Sequence, residues 1–359
     1  MRSGPPVWLC LALVTASCGA GPAMPSSADP QESLPSGGAG GDTCRVTSTA
    51  EAGPGTLHGC LSSQTGPRTV VFEVAGPLSL PETTYVRSNT TIDGTAAGAR
   101  GVALAMHSDR RRALALEGPV TNVVIRGLRF EGDYGVPDAV EGDLVALDGE
   151  NGQVSKVLVE HCTFVGATDG ALDITGNVRD VVVRWNLFHG NPLTMLIRYG
   201  TRERLSLHRN VFAENGERNP QIRGDVRTID FVNNVVYDWR LTRDGYGTEI
   251  RNDPGEVIDG NFVANAFLAA RPEDGPGLTL RNFTGASPGR LWVAGNLCRP
   301  ECAVTSTAGT SLPVPLSLDP WPASELGARL LPGVGAPNRT PRDSEVLQRL
   351  LAALGEALR

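Results

Sequence analysis

An all-β solenoid is the fold class that the sequence predicts, and three observations lead to it. One motif recurs every twenty-four residues between residues 157 and 236, as Cys162-Thr163-Phe164, Asn186-Leu187-Phe188, Asn210-Val211-Phe212 and Asn234-Val235-Val236. Each copy follows a short run rich in β-branched residues, so the repeating unit is a strand, a polar turn residue and an apolar residue. The longer period and the 3.6-residue patterning of helical repeats do not occur in this region.

The repeat turns sequence positions into columns in space. Residues at the same phase of successive coils lie about 4.8 Å apart, which is the spacing of neighbouring strands. We therefore expect a ladder of asparagine amides and a stack of phenylalanine rings inside the coil, formed by Asn186, Asn210 and Asn234 and by Phe164, Phe188 and Phe212. Three further segments are expected to extend these columns: Leu128-Arg129-Phe130, Asn261-Phe262-Val263 and Asn296-Leu297-Cys298.

A second column predicts the functional face. A further short strand follows each turn, and alternate residues of a strand point to opposite sides. If the residue that ends each motif points inward, an outward row is formed by Arg198, Arg223, Arg251 and Arg281. Asp173 is expected on the same face, at the start of this row.

The N-terminal 42 residues are predicted to stand apart from the fold. Residues 1–18 resemble a secretory signal, and their apolar run is too short to span a bilayer. The sequence before Cys18 resembles a bacterial lipobox, so lipidation of Cys18 is expected, with ordinary cleavage as the alternative. Residues 19–42 are rich in Gly, Pro and Ser and predict a flexible linker. These features favour a secreted protein or a bacterial cell-surface lipoprotein.

The rest of the chain is predicted to form one domain with a C-terminal addition. Residues 43–302 are assigned to the solenoid, and residues 303–342, rich in Pro, Ser and Gly, to an extended strap. Residues 343–359 have the apolar pattern of an amphipathic helix. We expect this helix to cap the solenoid or to pack on its side, and we expect the protein to be a monomer.

Cysteine content and charge limit the classes of function. In an oxidising compartment Cys44 with Cys60, and Cys298 with Cys302, are expected disulfides, although the sequence does not fix their connectivity. Cys162 lies at the ladder position and is expected to be a buried apolar residue. The net charge of −7 argues against a nucleic-acid partner. An acidic region beside an arginine-rich one favours a divalent cation together with a polyanion.

Three carboxylates are candidates for a metal site. Asp169 lies at a turn, Asp173 enters the next strand, and Glu160 belongs to the preceding strand. Hard cations such as Ca²⁺ take six to eight oxygen ligands, so carboxylates from adjacent segments suit them. The spacing is also compatible with ordinary turn residues, because Asp is common in β-turns.

Many ordered blocks of this sequence resemble the pectate lyase family typified by pectate lyase C, over roughly residues 44–265. The blocks that carry the resemblance are Gly53-Pro54-Gly55-Thr56-Leu57, Val159-Glu160-His161-Cys162, Asp169-Gly170-Ala171-Leu172-Asp173, Arg184-Trp185-Asn186-Leu187-Phe188, and Arg218-Asn219-Pro220-Gln221-Ile222-Arg223. The resemblance implies a right-handed parallel β-helix that cleaves polygalacturonate or a related polyuronate by β-elimination.

The resemblance also implies roles for individual residues. It places Ca²⁺ near Glu160, Asp169 and Asp173, and it makes Arg218 the group that removes the C5 proton. It assigns Arg223 to substrate binding. Because arginine keeps its proton at neutral pH, such an enzyme is expected to work best in alkali.

One departure from the family pattern concerns a substrate-binding lysine. Leu193 stands at its expected position, and Lys156, the only lysine of the chain, lies outside this motif. Arg198 could supply the missing charge, and nearby His189 is expected to be an exposed turn residue and a secondary candidate for substrate binding. The alternative function is a non-catalytic β-helix lipoprotein that binds acidic polysaccharide. A pectin hydrolase is disfavoured, because the carboxylate motifs of polygalacturonases are missing.

Overall fold

The fold is a parallel β-helix, seen in a computed structural model that describes residues 34–80, 83–97, 101–106, 112–136, 142–287, 289–313 and 318–359. The predicted signal peptide, the lipobox at Cys18 and most of the predicted linker therefore lie outside the described residues. About nine coils are present, which confirms the predicted fold class. None of the helices in the described ranges has the length and hydrophobicity needed to cross a membrane.

The first half of the chain contains twelve strands and one short helix: β1 (Asp42–Val46), α1 (Leu57–Ser62), β2 (Arg68–Phe72), β3 (Gly76–Ser79), β4 (Thr84–Tyr85), β5 (Thr90–Asp93), β6 (Val102–Ala105), β7 (Arg112–Glu117), β8 (Val120–Arg126), β9 (Arg129–Glu131), β10 (Asp143–Glu160), β11 (Thr163–Val165) and β12 (Leu172–Arg184).

The second half continues the strands and ends in helices: β13 (Leu187–His189), β14 (Leu196–Arg198), β15 (Thr201–His208), β16 (Val211–Ala213), β17 (Gln221–Arg223), β18 (Asp225–Val232), β19 (Val235–Tyr237), β20 (Thr248–Asn252), β21 (Ile258–Val263), β22 (Ala266–Leu268), β23 (Leu278–Asn282), β24 (Leu291–Ala294), β25 (Leu297–Arg299), α2 (Leu326–Arg329) and α3 (Pro341–Ala357). Two 3-10 helices, Pro272–Asp274 and Ala323–Glu325, lie between these elements.

The strands form three faces, which we name by what covers them. The helix face is the sheet that runs from β3 to β25. The open face contains β4, β7, the first parts of β10 and β12, and then β14, β17, β20 and β23. The strap face contains β1, β2, β5 and β8, the last parts of β10 and β12, and then β15, β18, β21 and β24. β10 and β12 bend from one face into the next, so the open and strap faces belong to one sheet.

Stacked aromatic rings fill the interior on the side of the helix face. Phe130, Phe164, Phe188 and Phe212 form a column with ring centroids 4.7–4.9 Å apart and nearly parallel planes. The predicted phenylalanine stack is thus confirmed, and the upstream motif that ends at Phe130 belongs to it. The column breaks at Val236, where the inward-facing Phe231 of the strap face fills the space against Phe212.

The asparagine ladder is present, with one change in its membership. Asn186, Asn210 and Asn234 each accept through Oδ1 from the backbone N–H of the preceding coil and donate through Nδ2 to a backbone carbonyl. The next member is Asn265, not Asn261 as predicted, and Asn296 follows it. Asn261 lies in β21, where it pairs with Asp230. Asn265 follows Asn234 by 31 residues, whereas earlier members are 24 residues apart, so the period no longer identifies the next ladder asparagine after this longer insertion.

The C-terminal segment crosses back over two faces of the solenoid. Between residues 303 and 336 its backbone bonds successively to Leu278, Leu291, Asn261, Asn233, Trp185 and Thr163. Leu318 packs with Val124, Leu158 and Val182 on the strap face, where Leu34 from the N-terminal segment also packs. The last part of the predicted linker, from residue 34, therefore lies against the β-helix.

Helix α3 packs on the helix face and does not cover an end of the solenoid. Its apolar side, formed by Val346, Leu347, Leu350 and Leu354, contacts a column that includes Leu187, Val211 and Ala266. Asp343 completes the capping box with Thr340 at the helix start and also accepts from Arg129. His189 Nε2 lies 2.6 Å from the same carboxylate. The prediction that His189 is an exposed turn residue is wrong, because it forms the buried attachment of this helix.

The cysteines behave as expected from the sequence. Cys44 bonds to Cys60 and links β1 to α1, and Cys298 bonds to Cys302 after the last strand. Cys162 is a free and fully buried thiol in the ladder column. Burial raises the pKa of the Cys162 thiol to about 12, so it remains protonated and unreactive in this site.

We predict that Asn210→Ala destabilises the protein by about 4 kcal/mol, because it removes the hydrogen-bond partner of buried groups in two neighbouring coils, each worth about 1–3 kcal/mol when unsatisfied. Denaturant unfolding measured by circular dichroism tests this value. Asn296→Ala is the matched control at the end of the same ladder, where Asn296 is only partly buried and water can replace its bonds. Equal losses in the two variants would contradict the explanation.

Candidate functional site

The outward columns of the open face hold the charged residues that the sequence singles out. Leu172, Ile174, Ile197, Ile222 and Ile250 point into the core, so alternate residues of the same strands point outward. Strand pairing aligns Thr175 with Arg198, and Arg223 with Arg251 and Arg281. The pairs Leu196–Gln221 and Ile197–Ile222 join β14 to β17 and so place Arg198 next to Arg223 in the row. The predicted arginine row therefore exists, and Asp173 starts the neighbouring outward column.

Three aspartates lie together at one end of these columns, around Gly170. The backbone N–H of Gly170 donates to Asp143 Oδ1 at 3.0 Å, and Asp169 is the preceding residue. A Cβ atom at position 170 would lie 2.2 Å from Asp173 Oδ1. A side chain at position 170 would therefore displace the Asp173 carboxylate from its position. Asp173 Oδ1 also accepts from the backbone N–H of Leu196, at 2.9 Å.

The close approach of neighbouring carboxylates makes the ionisation of Asp143 and of Asp173 unfavourable. Burial, followed by repulsion from Asp169, raises the pKa of Asp143 to about 6. Burial, followed by repulsion from Asp143, raises the pKa of Asp173 well above its usual value. The described part of the site thus holds more negative charge than its neighbouring arginines neutralise.

Arg218 connects this cluster to the arginine row. It lies in the turn before β17 with a left-handed backbone conformation, φ 62°. Its Nη1 donates to Asp169 Oδ1 at 3.2 Å, across the intervening coil that carries Leu193. Leu193 pairs there with Glu217 in a single β-bridge. The positive charge of Arg218 partly offsets the rise in the pKa of Asp143 and of Asp173, so its side chain lies at the border of the cluster.

Arg223 is held by a carboxylate that the sequence analysis does not single out. Its Nε and Nη2 donate to Asp253 Oδ2 at 3.1 and 2.8 Å. Arg251 Nε lies 3.8 Å from the other oxygen of Asp253, and its guanidinium stacks on Phe283 at 4.4 Å. Asp253 thus fixes two neighbouring members of the row. Arg281 is paired differently, with Glu249 at 3.4 Å.

Arg198 differs from the other members of the row. Its guanidinium stacks on the exposed ring of Tyr199 at 4.5 Å, and it makes no ion pair with any residue in the described ranges. Cation–π stacking holds a guanidinium in place without neutralising its charge. Arg198 is therefore the member of the row with a positive charge available to an incoming anion.

The structure does not bring Glu160 into the aspartate cluster. Strand register puts Glu160 beside Arg184, at the far end of β12 from Asp173, and Arg184 Nη2 lies 2.9 Å from its carboxylate. Arg126 and Asp93 continue the same column on the strap face with an ion pair of 2.6 Å. The reason is the length of β10, which carries its C-terminal end onto another face. Asp143, at the N-terminal end of the same strand, takes the place expected for Glu160.

The sequence contains signals for the residues that the sequence analysis missed. Asp143 precedes Asp169 by about one coil and begins an alternating strand, so the column argument applied one coil earlier would find it. Asp253 follows Arg251 by two residues and comes directly after β20. Neither position is detectable from local spacing alone, because both depend on how the chain bends between faces.

The donor set suits a hard cation, although no preformed metal site is present: among the described residues, no group of three His, Cys, Asp or Glu side chains converges on one point. Asp143 and Asp173 each use one oxygen for a backbone N–H, and no hydrogen bond to their other oxygen is present among the described residues. Carboxylate oxygens crowded enough to raise their pKa values are the ligands that Ca²⁺ prefers. Asp143, Asp169 and Asp173 therefore fit Ca²⁺, whereas Glu160 lies elsewhere.

Curated relatives of this chain are named as pectate lyases. The chain is 26% identical over 250 residues to the probable pectate lyase C of Emericella nidulans, a match that covers 69% of this chain and 52% of the relative. The chain thus spans about half the length of the curated relatives it matches. No family model matches the chain. The similarity confirms the resemblance that the sequence motifs indicate.

Solved structures confirm the fold. The crystal structure of Jun a 1, the major allergen from cedar pollen, superposes with a TM-score of 0.66 at 17% identity, over 84% of this chain and 90% of that one. The pectate lyase Bsp165PelA from Bacillus sp. N165, solved in complex with trigalacturonate, gives a TM-score of 0.59 at 16% identity, over 84% and 96% of the two chains. The β-helix is therefore a fold shared with these proteins.

We predict that Asp143→Asn stabilises the metal-free protein at pH 8 and not at pH 4. With a folded-state pKa of about 6, above the ordinary 3.8, wild-type Asp143 binds an extra proton on folding between these values, so its contribution to stability falls as the pH rises through this window. The asparagine avoids this loss, which amounts to about 2 kcal/mol. Denaturant unfolding in the presence of a chelator, at both pH values, measures the difference.

Asp148→Asn is the control for this prediction. Asp148 lies on the same strand, and its carboxylate is paired with Arg112 Nη1 at 3.2 Å, which is closer than the 3.8 Å between Arg112 Nε and Asp143 Oδ2. Its replacement is expected to lower stability at pH 8. If Asp143→Asn also lowered stability at pH 8, repulsion within the aspartate cluster would not be the dominant effect there.

Proposed function

We propose that the protein is a calcium-dependent polysaccharide lyase that cleaves polygalacturonate or a related polyuronate by β-elimination. The observation that carries the proposal is the position of Arg218, which contacts Asp169 of the aspartate cluster and lies in the turn that leads into β17, the strand that carries Arg223. A polyuronate presents one carboxylate on every sugar, so its binding requires cationic groups repeated along the solenoid axis. The relatives named as pectate lyases support the same function.

Asp143, Asp169 and Asp173 are the residues that would hold Ca²⁺. When bound, the ion supplies positive charge that neutralises the substrate carboxylate and thereby acidifies the proton on the adjacent C5 atom. The surroundings of these residues favour a cation, because burial and repulsion between carboxylates disfavour the ionised forms of Asp143 and Asp173 when no cation is bound. Glu160, paired with Arg184, is left out of this ligand set.

Arg198 and Arg223 would orient the uronate carboxylate. They lie at matching positions of adjacent strands, which are about 4.8 Å apart, so both guanidinium groups can reach one sugar. Arg223 uses Nε and Nη2 for Asp253 and keeps Nη1 for a substrate oxygen. Two arginines are suited to this role, because a guanidinium can bind a carboxylate through paired hydrogen bonds.

Arg218 would act on the proton. Its deprotonated form takes the proton from C5, the electrons of the broken C–H bond form a double bond between C4 and C5, and the bond from C4 to its oxygen breaks. The leaving oxygen keeps the bonding electrons and receives a proton from water. Alkaline conditions favour this step, because they raise the small deprotonated fraction of an arginine.

Secretion, lipidation at Cys18 and the monomeric state remain predictions from the sequence.

We predict that the protein releases an unsaturated product from polygalacturonate only with calcium, and faster at pH 9 than at pH 7. Arg218→Ala is expected to lower kcat at least about 1,000-fold while changing substrate affinity little, because it removes the proton acceptor and not a carboxylate ligand. Ultraviolet absorbance of the product and binding calorimetry measure the two effects. Arg227→Ala, at an exposed arginine paired only with Asp225, is the control and should be active.

Absence of product from polygalacturonate and other polyuronates, combined with measurable binding, would refute lyase activity. It would favour the non-catalytic polysaccharide-binding function that Leu193 suggests.

We predict that Arg198→Ala lowers kcat/KM about 100-fold, equivalent to about 2.7 kcal/mol of transition-state stabilisation, and leaves the melting temperature unchanged. The reason is that Arg198 carries the unneutralised charge of the row. Tyr199→Leu is the companion variant, since it removes the stacking partner and keeps the charge, and it should have a smaller effect. If Arg198→Ala were kinetically silent while Leu193→Lys raised activity, Arg198 would not replace the missing lysine.

A further inference from the structure

Arg202 is a fully buried arginine inside the coil. It lies in β15, between Val178 of β12 and Val226 of β18, and Ile258 of β21 follows in the same column. These three neighbours belong to the hydrophobic core, and Arg202 has an exposed fraction of 0%. A charged side chain thus occupies a position where the adjacent coils have aliphatic residues.

This placement is unfavourable for stability. Arg202 makes no ion pair with a described residue, and its Nε has no hydrogen-bond partner there. Burial lowers the pKa of Arg202 to about 10, and the carboxylates of Glu256 and Asp225 offset this only from a distance. A buried charge without a contacting counter-charge costs several kcal/mol relative to an apolar residue. Packing of the core therefore does not explain why an arginine is present.

The hydrogen bonds of Arg202 point to its role. Nη1 donates to the backbone carbonyl of Gly200, and Nη2 donates to that of Arg223 at 2.7 Å. Gly200 follows Arg198 by two residues, and Arg223 ends the next strand. The paired residues of β14 and β17 are Leu196–Gln221 and Ile197–Ile222, so the pairing stops just before Arg198 and Arg223, and it resumes between β15 and β18 at Thr201–Asp225. Arg202 links the two coils across the unpaired gap that contains Arg198 and Arg223.

Gly224 shows that the surrounding backbone accommodates this guanidinium. Its φ is +82°, and an added Cβ atom would lie 2.3 Å from Arg202 Nη2. The residue after Arg223 must therefore lack a side chain for the guanidinium to reach the Arg223 carbonyl. Arg202 in the aliphatic column and Gly224 beside it are thus both needed for the hydrogen bond from Arg202 Nη2 to the Arg223 carbonyl.

We propose that Arg202 is a positioning residue that sets the separation of Arg198 and Arg223 for the carboxylate of a uronate polymer. The inference rests on the proposed function of the open face. Arg202 does not reach the substrate, since it is buried beneath the strands that carry the two binding arginines. It acts through the backbone carbonyls of residues 200 and 223. Its burial lowers the stability of the protein, and its hydrogen bonds hold the geometry of the binding site.

The test compares three variants with the wild-type protein in melting temperature, KM and kcat. Arg202→Val continues the aliphatic column, so its melting temperature should equal or exceed that of the wild type, while KM for polygalacturonate rises about 10-fold and kcat changes less than about threefold. Arg202→Lys keeps a donor for one carbonyl and should have an intermediate KM. Val178→Ala is the control in the same column, and it should lower the melting temperature and leave KM unchanged.

Different results would separate the inference from the proposed function. A lower melting temperature in Arg202→Val, or an unchanged KM in an active Arg202→Val, would overturn the positioning role and leave the lyase function intact. A wild-type protein that neither cleaves nor binds polyuronates would overturn both. If the wild type binds without cleaving, the same comparison is made on Kd, and an unchanged Kd in Arg202→Val overturns the inference.

Discussion

The hydrogen bonds between successive ladder asparagines fix the register of the coils, and the chemistry of the outer surface depends on that register. The amides of Asn186, Asn210, Asn234 and Asn265 are buried, so a shifted coil would leave their donors and acceptors unsatisfied in the core. A slip of one residue would also turn every outward side chain inward. Asp173 and Arg223 would then enter the core, where Ile174 and Ile222 now pack. The same contacts that stabilise the fold thus place the charged columns.

The fixed register allows the protein to hold charges in an unfavourable arrangement. Asp143, Asp169 and Asp173 lie near one another even though burial and repulsion between carboxylates raise the pKa of Asp143 and of Asp173. The ladder and the ring stack hold the coils that carry them, and Gly170 leaves room for the Asp173 carboxylate. The fold thus keeps these aspartates near one another, although no three carboxylates of the described residues converge on one point. The rigid spacing of the coils also accounts for a difference between the two groups. The aspartates lie close to like charges, whereas most arginines of the row pair with a carboxylate.

Sequence periodicity predicts the columns well and the bends poorly. The phenylalanine stack and the ladder from Asn186 to Asn234 follow from a constant period, the arginine row follows from the alternation of side chains along each strand, and the structure confirms all three. Asn265 replaced Asn261 because an insertion changed the period before that coil. Glu160 and Asp143 share β10, and only the bend of that strand decides which of them lies near Asp173. His189 looked exposed because its partner, Asp343, lies in a distant helix.

The covering segments leave one face of the solenoid, the open face, without a packed segment among the described residues. The strap and residues from Leu34 onward pack on the strap face, and α3 packs on the helix face, so the apolar outward columns of both are buried. Neither segment packs on the outward residues of the open face within the described parts of the chain. That face instead has charged columns parallel to the solenoid axis, with about 4.8 Å between successive coils. A long anion laid along this axis meets a charged group at each coil, whereas a compact ligand would use only one or two. The geometry therefore favours an extended polyanion over a small anionic ligand. Binding of such a polyanion would require that neighbouring coils keep a constant separation at the ends of their strands.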